Sequence, residues 1–98
     1  MDEIVFPEFS LKQNYPNPFN PITTIRYSLP EAARVRLDIY NLKGQLVKTL
    51  IDSEMAAGPH SVIWNGKDSN NQAVASGVYF YRISSPNNTQ TKKMLLMK

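Results

Sequence analysis

Residues 34–40 alternate without a break: Val35, Leu37 and Ile39 fall on one side, and Arg34, Arg36 and Asp38 on the other. A two-residue period belongs to a β-strand with one face buried and one in water, and an amphipathic helix cannot carry it. The pattern recurs along the chain. In residues 22–29, Ile25, Tyr27 and Leu29 oppose Thr24, Arg26 and Ser28 until Pro30 ends the run. In residues 60–64, His60, Val62 and Trp64 oppose Ser61 and Ile63. Residues 78–84, VYFYRIS, are the most β-prone stretch of all, being rich in aromatic and β-branched side chains.

Turn residues punctuate these runs. Asn41, Leu42, Lys43 and Gly44 form a turn that returns the chain along residues 45–51 as a hairpin. Residues 52–59 hold the breaker pair Gly58 and Pro59 and are expected to be a connection, with a brief helical turn open to residues 53–57. Gly66, Asp68, Ser69, Asn70 and Asn71 mark a long loop over 65–77, and Pro86, Asn87 and Asn88 turn the chain into a last strand over 89–98. Six strands plus a Pro-rich edge segment, at a spacing of about ten residues, predict an all-β, immunoglobulin-like antiparallel sandwich of about seven strands with Greek-key connections.

The 98 residues suffice for one small domain with one core, and the 42% hydrophobic and 19% charged content is ordinary for a globular chain. There is no cysteine, which excludes disulfides, thiolate metal sites and a cysteine nucleophile. A net charge of +3, with Lys92, Lys93 and Lys98 as the one basic cluster, is too sparse for a nucleic-acid footprint. No apolar run approaches the roughly 20 residues of a membrane-spanning helix, and Asp2 and Glu3 follow Met1 where a signal peptide carries positive charge. An exported protein of this kind is therefore expected to carry its export signal elsewhere in a longer precursor. Residues 1–11 read as a linker or tail, poorly ordered through Phe9, and residues 12–98 as the domain.

Residues 12–21, KQNYPNPFNP, hold three prolines, each removing a backbone donor and extending the residue before it. Such a segment fits only a sheet edge, with Tyr15 and Phe19 as apolar pegs against the sandwich.

Catalytic constellations are missing from the sequence. His60 is the one histidine, it shares a strand face with Val62 and Trp64, and backbone is expected to satisfy one of its ring nitrogens. Trp64 reads as core volume. Carboxylates fall in turns, tails or on a solvent face, Asp38 included, so no glycosidase-like pair forms. Asp68, Asn70 and Gln72 offer alternate oxygens as calcium loops do, without the glycine and acid that complete such a loop. Asn87, Asn88 and Thr89 form a nominal glycosylation sequon of little weight. Most aromatics lie in β-periodic runs, leaving little for sugar stacking. The expectation is a non-enzymatic domain with no cofactor, no metal, no nucleic acid and no small-molecule substrate.

Longer stretches carry a resemblance. QNYPNPFNP at 13–21, with Asn14, Tyr15, Pro16, Asn17, Pro18, Phe19, Asn20 and Pro21, is followed by TTIRYSLP at 23–30. Then come VRLDIYNLKGQLVKTL, AAGPHSVIWNGKD, ASGVYFYRI with Gly77 and Tyr79, and a closing KKMLLMK. This text resembles the type A C-terminal sorting domains of the type IX secretion system. WNGKD and SGVYFYR also resemble the immunoglobulin-like domain of flagellar hook-capping proteins. The departure is Asn71, where the sorting family often has glycine and where asparagine tolerates left-handed backbone.

The first resemblance implies a C-terminal signal that takes an N-terminally attached cargo protein across the bacterial outer membrane to the cell surface or the medium. Its implied partners are an outer-membrane translocon and a sortase, which cuts ahead of Gln13 while attaching the cargo to surface lipopolysaccharide. Lys92, Lys93, Met94, Leu95, Leu96, Met97 and Lys98 are the expected recognition residues, the last strand presenting an edge to a receptor groove. Two other readings stand beside it, a hook-cap-like structural domain and an accessory carbohydrate-binding sandwich.

Overall fold

The computed structural model describes residues 8–98. Seven strands form two antiparallel sheets: β1 (Ser10–Leu11), β2 (Thr23–Leu29) and β5 (Gly58–Trp64) in the order β1-β2-β5, and β3 (Ala33–Asn41), β4 (Leu46–Met55), β6 (Gly77–Ser85) and β7 (Asn88–Leu96) in the order β4-β3-β6-β7. This is the immunoglobulin-like sandwich expected from the alternation. The inward residues of both sheets form its core: Ile25, Tyr27 and Leu29 from β2 meet Val35, Leu37 and Ile39 from β3, and Tyr79, Tyr81 and Ile83 from β6. Trp64 is fully buried between Phe19 and Tyr79, at ring-centroid distances of 5.7 and 5.5 Å, and its indole N–H donates to the Lys67 carbonyl at 2.9 Å.

Several expectations are corrected. The first strand is not the Pro-rich segment but Ser10–Leu11, and Leu11 is buried in the core, so the boundary drawn at residue 12 falls inside the folded part. The tail expected over residues 1–9 lies mostly outside the described residues. Residues 52–55 continue β4 instead of opening a loop, because Ala33 to Arg36 pair with Met55 back to Asp52. Register shifts between Leu37 and Asp38 and between Ile39 and Tyr40 absorb the extra residues of β4.

Asp38 does point away from the core, yet it is buried, because polar side chains of its own strand and of β4 fold over it. Its carboxylate accepts from Arg36 Nε at 2.8 Å, Thr49 Oγ1 at 2.7 Å and the Tyr40 hydroxyl at 3.3 Å. The same bond to Asp38 raises the affinity of the Arg36 guanidinium for its proton. Ser28 is buried too, between the Ser10 hydroxyl at 2.6 Å and the Glu8 carbonyl at 3.2 Å.

Candidate functional site

Residues 12–22 cross the open side of the sandwich as a strap, with cis peptide bonds at Tyr15–Pro16, Asn17–Pro18 and Asn20–Pro21. At its start it belongs to the three-stranded sheet: Tyr15 and Thr24 exchange backbone hydrogen bonds at 3.0 and 2.9 Å. At its end it belongs to the other sheet: the Phe19 N–H donates to the Leu95 carbonyl at 3.0 Å, and Met97 N–H donates back to the Phe19 carbonyl at 2.9 Å. A strap rich in proline has few N–H groups to offer, so side-chain amides complete the seam. Asn17 Oδ1 accepts from Leu95 N–H at 3.0 Å, and Gln13 Nε2 donates to the Lys93 carbonyl at 2.8 Å.

Gln90 extends the seam along β7. Its Oε1 accepts from Leu11 N–H at 3.0 Å and its Nε2 donates to the Phe9 carbonyl at 3.3 Å. Gln13 and Gln90 were not among the expected site residues. A lone glutamine has no periodic signature, and its role here exists only once segments far apart in sequence are side by side.

The strap is anchored below by a buried polar cluster. Asn14 is buried; its Nδ2 donates to Thr23 Oγ1 at 2.9 Å and to the Pro16 carbonyl at 3.2 Å, and the Thr23 hydroxyl donates to the same carbonyl at 2.9 Å. The Tyr81 hydroxyl reaches out of the core to this point, donating to the Lys12 carbonyl at 2.7 Å. Burial pushes its pKa up to about 12, against the opposing bond from the Asn14 N–H. Burial also raises Tyr27 and Tyr79.

The two expected pegs part company. Phe19 is 2% exposed and packs on Trp64, whereas Tyr15 is 73% exposed because its pairing with Thr24 turns it to the outer face. Asn20, Pro18 and Pro21 are exposed. Gly77 opens β6 at φ 148°, and the Tyr79 hydroxyl donates to the Ala75 carbonyl at 2.6 Å.

The closing residues are divided by the pleat. Met94 and Leu96 are buried in the core, Lys92 and Leu95 are half-buried, and Lys93, Met97 and Lys98 are exposed. Over residues 93–97 the expected recognition edge is not open: the side chains of Gln13 and Asn17 and the backbone of Phe19 occupy it.

The remaining candidates resolve into structural roles. His60 Nε2 lies 2.7 Å from the Ala56 carbonyl, and its ring stacks on Tyr27 at 5.2 Å. Asp68 Oδ1 accepts from Asn70 and Gln72 N–H at 2.9 and 3.0 Å, which closes a turn with Asn71 at φ 62°. That carboxylate oxygen serves its own backbone. Among the described aromatics only Tyr15 is exposed, and the Arg82 guanidinium lies 4.9 Å above the half-buried Tyr40 ring. A sugar platform needs two or three exposed rings on one face, and the described residues present no such set.

Comparison with known proteins places the sandwich. Residues 21–89 match the FlgD Ig-like domain, which is most of the chain. The chain belongs to the FlgD Ig-like domain family. The match leaves out residues 12–20 of the strap and residues 90–98 of the closing segment.

No curated protein sequence matches the chain. Among solved structures, latent dimeric PorU from Porphyromonas gingivalis superposes with a TM-score of 0.72 at 21% identity, over 94% of this chain and 10% of PorU. PorZ, a surface component of the type IX secretion system of the same bacterium, gives 0.61 at 23% identity over 92% of this chain and 11% of PorZ. FlgD from P. aeruginosa gives 0.61 at 22% identity over 81% of this chain and 66% of FlgD. The chain thus spans about a tenth of PorU and of PorZ, and at these identities the likeness is one of fold.

Proposed function

We propose that this domain is a non-enzymatic sorting module, directing an attached cargo protein across the bacterial outer membrane through the type IX secretion system to the cell surface or medium. One observation carries the reading. Two segments outside the FlgD match, residues 13–20 and 90–98, are bonded to each other as one seam, and they carry the QNYPNPFNP and KKMLLMK text on which the resemblance to sorting domains leans. The likeness to PorU and PorZ over more than nine-tenths of the chain supports the same reading. The outward side chains of Lys93, Met97 and Lys98 would meet the secretion machinery, with no cofactor involved. A sortase cut falls ahead of Phe9, since from Ser10 onward the backbone is held by β1 and the strap.

The family match favours a second reading, a structural domain like that of FlgD, in which no residue of the closing segment needs to be free.

Deleting residues 94–98 cannot separate the two, because it removes the buried Met94 and Leu96 and the strap's partner. The test uses surface changes. Residues 9–98 are fused behind a periplasm-directed fluorescent protein in a bacterium with a type IX system, with and without Lys93→Glu, Met97→Asp and Lys98→Glu. Export of the parent fusion, lost in a triple variant with unchanged circular dichroism, is the expected result. Retention of a folded parent fusion in the periplasm overturns the sorting reading and leaves the structural one.

A further inference from the structure

A sandwich of this kind has four sheet edges, and three are protected. The strap covers the chain from Lys93 to Met97, at the end of β7, and Lys92 and Lys93 charge the strand. β1 is two residues long and its Leu11 N–H is bonded to Gln90. β4 is broken by register shifts, carries Lys48, Asp52 and Glu54, and has its Val47 carbonyl bonded by Ser69 N–H and Oγ at 3.1 Å. Charges, bulges, short length and coverage are the usual defences against unwanted strand pairing.

β5 has none of them beyond Pro59 at its start. Its seven residues, GPHSVIW, contain no Asp, Glu, Lys or Arg and pair with β2 without a shift. Among the described residues no hydrogen bond outside that pairing reaches its backbone.

The face beside this edge is also incomplete. Tyr15 stands opposite Thr24, and Thr24 opposite Ile63, so one outward row crosses the sheet and stops at Ile63 on the edge. Ile63 is 62% exposed, and Ile22, 52% exposed, adjoins the row. Two residues along, Arg26 lies opposite Ser61, and Lys12 N–H donates to the Arg26 carbonyl at 2.9 Å. Neither cation forms an ion pair among the described residues. Lys12, Arg26, Tyr27, Pro59 and His60 line a cleft of about 250 Å³ without an acidic side chain.

We propose that the outer edge of β5 is a strand-addition site for an extended segment of a partner polypeptide bearing acidic side chains. The segment pairs as a fourth strand of the β1-β2-β5 sheet. Its outward side chain beside Ile63 is apolar and completes the row from Tyr15, and its outward side chain two positions away is a carboxylate that reaches Arg26 across Ser61, with Lys12 one strand further adding positive charge to the face. Backbone bonds give such a complex its affinity, and the alternate side chains give it selectivity. The inference is independent of the sorting reading and survives its failure.

The probe is the peptide acetyl-Thr-Glu-Thr-Val-Thr-Glu-Thr-amide, whose central valine is flanked by a glutamate on either side in both strand directions. It is titrated into the 15N-labelled chain and followed by amide chemical shifts. Shifts centred on residues 60–64 are expected, with slowed amide exchange there, and binding at least about tenfold weaker when both glutamates are lysine. Ile63→Lys, at an exposed position, abolishes the shifts with the fold intact, and Arg26→Glu reverses the preference between the two peptides. The proposal is overturned by no shift at millimolar peptide, by shifts elsewhere, or by equal binding of the lysine peptide. Shifts on β5 that grow with protein concentration and without peptide identify a second copy as the occupant and overturn it as well.

Discussion

The Asn14 backbone N–H donates to the Tyr81 hydroxyl at 2.8 Å, across an interval of 67 residues. The hydroxyl itself donates to the Lys12 carbonyl, so one phenol in the four-stranded sheet holds the strap at two backbone groups, on Lys12 and Asn14. Tyr81→Phe keeps the ring and removes both bonds, leaving a buried N–H and a carbonyl without a partner. It should lower stability by about 1–3 kcal/mol in urea unfolding, with little change in the transition's steepness.

Alkaline pH should act through the same group. The folded pKa of Tyr81 is raised to about 12, above its ordinary 10.0, so the folded state holds the phenol proton more tightly than the unfolded chain does. The resulting stability is complete below about pH 10 and lost as pH rises toward about 12. Tyr27 and Tyr79, both raised, act in the same direction. Unfolding midpoints measured in steps across this interval should fall in the parent and fall less steeply in Tyr81→Phe.

Phe19 and Asn17 hold the strap by different means and should separate experimentally. Phe19→Ala empties a site against Trp64 and should cost about 3–5 kcal/mol, the range for a large buried aromatic. Asn17→Ala removes one bond to Leu95 N–H on a wet surface and should cost about 1 kcal/mol. Its clearer signature is faster hydrogen exchange at the Leu95 amide with the rest of β7 unchanged.

Gly66 and Gly44 both have left-handed backbone, at φ 74° and 81°, yet they differ in their surroundings. A Cβ at Gly66 would lie 3.0 Å from the Pro21 carbonyl oxygen, while one at Gly44 meets nothing within 4 Å. Gly44→Ala should therefore cost about 1 kcal/mol from backbone conformation alone. Gly66→Ala should cost clearly more, because the strap must shift, and the difference in thermal midpoints between the two variants checks this.

The strands were legible because alternation is a local property: β3 needs only residues 34–40 to declare its two faces. The left-handed turn at Asn71 and the interior place of Trp64 were legible for the same reason. Tyr15 and Phe19 were not distinguishable, since a proline-interrupted segment has no period and each ring's direction is set by a different sheet. Asp38 was misjudged because alternation reports which way a side chain points, and not whether Thr49 and Tyr40 from flanking positions close over it. β1 was missed because two residues are too few to show a period. The seam with β7 depends on pairing residues about 80 positions apart, and nothing local encodes that register.

The order in which the chain is made gives the seam a further meaning. β7 supplies two buried side chains, Met94 and Leu96, and, with Leu96, the β-bridge partner of Phe19. A nascent chain stopped short of these residues has an unfilled core and a strap with nothing to grip. Native closure therefore waits until residue 97 has left the ribosome, and up to that moment the chain remains a substrate for chaperones and for any machinery that threads unfolded polypeptide.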